Sequence, residues 1–221
     1  MEETRLRNAM RFYLLATQLK YKIRKGWDEQ HWNVKKERLE SVAEHIYGTC
    51  ILAISLDSEF KLNIDLYKVI KMLVIHELGE VIIGDITPFD NVSPEEKMQK
   101  EHEAFAKLVG DLVKKDEIIS LFLEFDSKQT REAVFAYHCD KLEADIQAKV
   151  YQDMGCQNPL EDQKNNVVFK SAKTQQMVAD GAKTAFDIWY EYDKKLYEDD
   201  ETFAQMLEYV RSHSTDVGTM Q

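Results

Sequence analysis

Apolar residues recur at helical spacing along most of the chain, and the polar breaks between these stretches predict a succession of helices. Leu6, Met10, Tyr13, Leu14, Thr17 and Tyr21 fall near one face and predict an amphipathic helix over about 4–23. Residues 24–40 are rich in charge and tryptophan with little period, which predicts a long loop. Ser41-Val42-Ala43-Glu44 has the form of a capping box, so a helix should begin at Val42 and run to about 56. Asp65 can cap a helix over about 66–82, whose face carries Val69, Ile70, Leu73, Val74 and Leu78, and Gly84 suits its C-terminal cap. The stretch from Gly84 to Ser93, with Asp85, Pro88, Asp90 and Asn91, has the chemistry of an ordered loop. Ser93-Pro94-Glu95-Glu96 looks like a second capping box with proline at the first helical position. Further helices are expected at about 94–114, 116–125, 128–152 (capped by Ser127), 171–197 and 201–212, with a polar loop at 153–166 and a frayed tail from His213. Val167-Val168-Phe169 is the one segment that could be extended. With eight glycines and three prolines in 221 residues, breakers are too few to suggest anything but an all-α chain, read as one domain.

The charge balance narrows the partners. Forty acidic residues against 29 basic give a formal charge of -11, which repels DNA and RNA backbones, so no nucleic-acid polymer is expected. A small phosphorylated metabolite remains compatible, because a local metal outweighs global charge. The three cysteines, Cys50, Cys139 and Cys156, suit buried small hydrophobes better than a disulfide framework. The opening Met1-Glu2-Glu3-Thr4 lacks the pattern of a signal peptide, and no run of ~18 apolar residues suggests a membrane span. A cytoplasmic location with no membrane partner is expected.

Candidate chemistry is densest at His76-Glu77-Leu78-Gly79-Glu80, at the end of an apolar helix. On a regular helix His76 and Glu80 share a face and Glu77 lies a quarter-turn away, so an imidazole and two carboxylates approach one centre. Such donors suit a divalent cation such as Zn, Mn, Fe or Co. A metallopeptidase helix would need histidine where Glu80 stands. Alone, a His-Glu pair at a helix end is more often a surface ion pair, a lone His45 a satisfied imidazole, and a lone Asp140 a solvated carboxylate. Leu142, Ala144 and Ile146 around Asp140, however, suggest a buried helix, where a carboxylate needs a cation or a hydrogen-bond partner.

Taken in order, Glu40-Ser41-Val42-Ala43-Glu44-His45, then His76-Glu77-x-x-Glu80 running into Gly84-Asp85-Ile86, then Asp140-Lys141-Leu142-Glu143, the series resembles the HD-domain family, whose pattern is H … H-D … D. It looks most like the branch of 5'-deoxynucleotidases and their HD-domain relatives, over roughly residues 10–150, and Arg24-Lys25-Gly26-Trp27 resembles the element that precedes the first histidine there. The resemblance implies a single HD-domain helical bundle, with the C-terminal helices over about 171–212 completing the bundle or a dimer interface. It implies one divalent ion held by His45, His76, Glu77 and Asp140. It also implies Glu80 as the catalytic carboxylate, Asp85 as an aid in orienting water, Arg24 on the phosphate and Trp27 on the base or sugar. The implied activity is hydrolysis of 2'-deoxynucleoside 5'-monophosphates by a homodimer.

For Asp85 a loop-capping role is nearly as good a reading, and for Trp27 a place in the core is equally good. Two departures stand out. Glu77 occupies the position of the family's aspartate, and the segment between Trp27 and Ser41 looks longer than in relatives. Alternatives are an HD phosphohydrolase acting on nucleoside triphosphates, alarmones or cyclic nucleotides, or a nucleotide-binding HD protein weakened by Glu77. Elsewhere, His31 and His102 read as surface residues, His138 as near the site at most, and Tyr190 to Glu201 as a solvated face. Val178, Ala182, Ala185, Phe186 and Trp189 read as a packing stripe on one long helix.

Overall fold

The computed structural model describes residues 2–87, 90 and 92–219. It is all-α, and the β-structure among the described residues is one isolated antiparallel bridge, Ile23 to Ser41. No helix among them is long and apolar enough to cross a membrane. Pro88 and Asn91 of the expected ordered loop lie outside the described residues. The chain forms two compact units, Met1–Arg24 with Glu40–Tyr137, and Lys25–Leu39 with His138–Gln221.

The first unit holds α1 (Glu2–Ala16), α2 (Val42–Phe60), α3 (Leu66–Ile75), α4 (Glu80–Ile83), α5 (Pro94–Val109) and α6 (Lys115–Ser127), and the start of α7 (Arg131–Asp153). One cluster of its core is built from Leu19, Val42, Leu78, Phe105, Leu108, Val109 and Phe122, with Phe105 and Phe122 stacked at 4.0 Å. Each such side chain contributes about 1.5–3 kcal/mol on burial. Two of them matter for the site, because Val42 opens the helix that carries His45 and Leu78 lies inside the His76–Glu80 string. Both strings are therefore held by the core itself.

The periodicity of α1 is as expected but its phase is not. Leu6, Met10, Tyr13 and Leu14 are more than half exposed, while Phe12, Leu15, Ala16 and Leu19 pack inward. The helix is apolar on more than one side, and tertiary contacts choose the buried side. Asn8 Nδ2 donates to the Asp111 carbonyl and Arg11 pairs with Asp111, which fixes that rotation. After Ala16 the chain tightens into a 3₁₀ turn, Thr17–Tyr21, so Tyr21 leaves the stripe and is 79% exposed.

The cap at Ser41 is complete: its hydroxyl accepts the Glu44 N–H, and the Glu44 carboxylate accepts the Ser41 N–H. Asp65 caps α3 through the Lys68 N–H, and Gly84, at φ 81°, closes α4 with its N–H on the Glu80 carbonyl. The box at Ser93 is only half made, since Ser93 Oγ accepts the Glu96 N–H but the Glu96 carboxylate pairs with Lys100. The expected cap of α7 is corrected as well. Ser127 Oγ donates back to the Glu124 carbonyl within α6, and Thr130 Oγ1 receives the Ala133 N–H.

The second unit is built from the rest of α7, α8 (Val167–Lys170), α9 (Ala172–Ala179), α10 (Ala185–Asp193) and α11 (Glu201–Ser212). The loop Lys25–Leu39 docks into it, with the Lys35 N–H on the Cys156 carbonyl, the Val167 N–H on the Gln30 carbonyl and Asn158 Nδ2 on the Asn33 carbonyl. That docking buries His31, expected at the surface, to 2% exposure against Asp28. His102 is not free in solvent either, because it bonds to Asp126. Val167–Phe169, the candidate extended segment, is a helical turn with Val168 fully buried.

The expected helix 171–197 is divided. Gly181 takes φ 115°, a backbone that only glycine adopts readily, and Thr184 then starts α10 with a capping box closed by Asp187. Aspartate in place of glutamate hid this box from the sequence pattern. The break ends the stripe, for Ala185 and Phe186 are buried while Val178 is exposed. The tail is not wholly frayed: Thr215 donates its N–H and hydroxyl to Asp153. Of the cysteines only Cys139 is fully buried.

Candidate metal centre

His45 enters the site on the first turn of α2. The capping box fixes that turn, the His45 N–H bonds to the Ser41 carbonyl, and the side chain is fully buried. His76 lies at the end of α3, where its Nδ1 donates to the Leu73 carbonyl at 2.7 Å. A proton on Nδ1 leaves the Nε2 lone pair for a cation. Nε2 stands 3.4 Å from Glu77 Oε1, and the two imidazole centroids are 5.6 Å apart. Phe125 packs against His76 at 5.2 Å and limits its rotation. Asp140 arrives on α7, a single helix that begins in the first unit, three residues past Tyr137.

The ligand atoms of His45, His76, Glu77 and Asp140 lie within 4.8 Å of one another. A cation with bonds of about 2.1 Å holds opposed ligands roughly 4 Å apart, so small side-chain movements would close the set. Two imidazoles and two carboxylates are also a donor set that suits a divalent transition metal. The residues therefore fit a metal ion, and Glu77 is long enough to be one of the four.

The motif departs from a continuous helix. Between His76 and Gly79 the α-helical ladder is interrupted: the Leu78, Glu80 and Val81 N–H groups bond to the Ile75, Glu77 and Leu78 carbonyls, each three residues back. In such 3₁₀ winding residues i and i+3 eclipse. Glu80 consequently falls beside Glu77, and the expected i, i+4 pairing of His76 with Glu80 is not what organises the site. Gly79 permits the arrangement, since a Cβ there would meet the Glu101 carbonyl oxygen at 3.2 Å. Gly79→Ala is expected to push α5 from the motif, lowering the melting temperature by several degrees and metal affinity at least severalfold. Calorimetry and metal titration check this, and an unchanged affinity would show that the close approach is not needed.

Glu80 is 5% exposed, and its Oε2 is buried without a hydrogen-bond partner. Burial pushes its carboxyl well above the usual range, and the charges of Glu77 and Asp85 push the same way, while Arg24 opposes them. Glu101 is raised too, first by burial and then by Glu77 and Asp126, with Lys97 opposing. This is a crowded acidic site, and a cation would relieve that crowding. Arg24 is half-buried, with its N–H on the Glu40 carbonyl. Lys97 Nζ donates to the Ile86 carbonyl at 2.8 Å and ties down the loop that carries Asp85.

Trp27 is placed differently from the base-stacking role considered for it. It is 1% exposed, edge-on to Tyr151 at 5.3 Å and tilted on Trp189 at 5.5 Å within the second unit. No open ring face remains to stack a base on. His138 belongs to another buried group, bonded to Asp200 and packed on Tyr197 and Phe203. Sequence reasoning gave Glu40 and Glu143 no ligand role, yet their carboxylates, with His45, form a second group of possible ligand atoms within 4.8 Å. Glu143 was detectable in principle, as it lies three residues after Asp140 on the same helical face.

Comparison with known proteins bears on the same residues. A family model described as HD domain matches residues 16–183, which is most of the chain. The chain belongs to the HD-domain family. As such it is a metal-dependent hydrolase. It is 36% identical over 152 residues to a 5'-deoxynucleotidase HDDC2 from Bos taurus, covering 67% of this chain and 70% of that one. It is 35% identical over 148 residues to the Mus musculus protein of the same name, with 66% and 70% covered. Among solved structures, a predicted metal-dependent phosphohydrolase from Magnetospirillum magnetotacticum superposes with a TM-score of 0.64, 22% identity and 95% and 93% of the chains covered. At that identity the likeness concerns the fold.

Proposed function

We propose that this HD-domain protein hydrolyses 2'-deoxynucleoside 5'-monophosphates to the deoxynucleoside and phosphate, with one divalent ion held by His45, His76, Glu77 and Asp140. The observation that carries the reading is the convergence of those four ligand atoms beside a buried Glu80 and Arg24. Supporting it are the relatives named as 5'-deoxynucleotidases at 35–36% identity.

A cation in this site would supply Lewis acidity, lowering the pKa of a water and offsetting charge on phosphoryl oxygens. The protein's groups supply the rest. Arg24 is the forked donor for the phosphate, a geometry that a guanidinium matches with two parallel hydrogen bonds. Glu80, eclipsed with Glu77 rather than exposed on a helix face, is the proton carrier between water and the leaving 5'-oxygen. Asp85, on the loop tied by Lys97, orients the attacking water. In-line displacement at phosphorus requires this positioning more than any covalent partner. The native assembly is proposed to be a homodimer in the cytoplasm.

The test is phosphate release from dAMP, dUMP, dGMP, TMP and dCMP and from the matching ribonucleotides, with Co, Mn, Zn or Mg added. Release from the deoxy series alone, abolished by EDTA and restored by one of these metals, is the expected outcome. Release of pyrophosphate or triphosphate from nucleoside triphosphates, with none from monophosphates, would replace the proposed substrate by another of the HD class.

A further inference from the structure

A cavity of about 730 Å³ opens in the second unit, bordered by Leu160, Phe169, Val178 and Ala182, with Lys164 and Lys183 among its lining residues. None of these residues belongs to the metal centre. The volume lies in the range of small-molecule sites, which combine apolar walls with a few polar groups that fix orientation. Gln175 Nε2 donates to the Phe169 carbonyl, and Trp32 stands edge-on to the Phe169 ring at 6.3 Å, so the floor of the cavity is held in place.

The two lysines are what give the cavity a preference. Although the chain is rich in carboxylates, neither the Lys164 nor the Lys183 ammonium group makes a hydrogen bond or ion pair among the described residues. Only one acidic side chain, Glu161, is among the lining residues. Two cations without partners beside an apolar floor, in a chain of formal charge -11, form a local exception to the field of the whole molecule. We propose that this cavity is a second ligand site, for a small organic anion with an apolar body. The body lies on Phe169, Val178 and Ala182, and the phosphate or carboxylate head is taken by Lys164 and Lys183.

The experiment is a fluorescence titration of the full-length protein with 8-anilinonaphthalene-1-sulfonate, whose aromatic body and single sulfonate have this chemistry. Saturable enhancement at one site per chain is expected. It should weaken about tenfold or more, the equivalent of 1.4 kcal/mol, in Lys164→Glu with Lys183→Glu and, separately, in Val178→Glu. All three positions are exposed, so the variants should fold, and circular dichroism checks this. Hydrolase activity should be unchanged in each, because the substitutions lie outside the metal centre. Displacement by decanoate but not by dAMP would identify an alkyl carboxylate as the ligand, and the reverse a phosphate monoester with a heteroaromatic body. Absence of saturable enhancement, or equal affinity in the wild type and the folded variants, would overturn the proposal.

Discussion

Glu80→Gln is expected to reduce phosphate release by about 10²–10⁴-fold, the range for removing a general acid or base, while leaving metal binding and fold intact. The physical basis is the placement of Glu80. Its side chain is buried beside Glu77 and Asp85, it is not one of the four converging ligands, and Arg24 is close enough to act on its charge. Glutamine keeps the shape and cannot carry the proton. It also removes a charge from a cluster in which burial and two neighbouring carboxylates already oppose ionisation. The metal-free variant should therefore melt at or above the wild-type temperature, since a buried carboxylate without a cation is costly. Measuring bound metal, melting temperature and turnover on one preparation separates the possibilities. Lost turnover with retained metal supports the assignment. Unchanged turnover removes Glu80 from the chemistry, and lost metal makes it a ligand instead.

Glu77→Asp, although it restores the family's usual residue, is expected to lower metal affinity and turnover, by roughly 10²-fold for a displacement near 1 Å. The longer side chain is built into this site. Glu77 Oε1 lies 3.4 Å from His76 Nε2, and the 3₁₀ winding through Leu78 and Gly79 sets where its Cβ stands. Shortening the side chain by one methylene withdraws the carboxylate from His45 and Asp140 without moving the backbone. A metal titration followed by phosphate release on the loaded protein checks this. A large rise in activity would instead mean that glutamate weakens the native site, and the chain would then be better read as a nucleotide-binding protein with low turnover.

The two substitutions probe different properties of one motif. Glu80→Gln should act on turnover at saturating metal, whereas Glu77→Asp should act first on the metal needed to reach it. An assay over a range of metal concentrations therefore distinguishes them, and added metal should recover more activity for Glu77→Asp than for Glu80→Gln.

Much of the site was legible in sequence because its signals are local or ordered. Ser41 and Glu44 make a capping box within four residues, so the helix start that presents His45 is encoded there. Asp65 and Gly84 mark their helix ends by the same local chemistry. The order of His45, His76-Glu77 and Asp140 pointed to four residues whose side chains converge although they are far apart in the chain, because each sits in a recognisable short string.

The all-α class, most helix starts and the set of four residues that converge were legible in the sequence, since periodicity, caps and short strings depend on near neighbours. Only the tertiary structure decided the rest. It chose which face of α1 is buried, because that helix is apolar on more than one side and Asp111 fixes its rotation. It buried His31 and Trp27, because the irregular segment Lys25–Leu39 gains its order from docking onto Tyr151, Cys156, Asn158 and Trp189. It also turned Glu80 beneath Glu77, since the helix tightens where Gly79 lets the Glu101 backbone approach, and a contact made by residues 22 positions apart has no local signature.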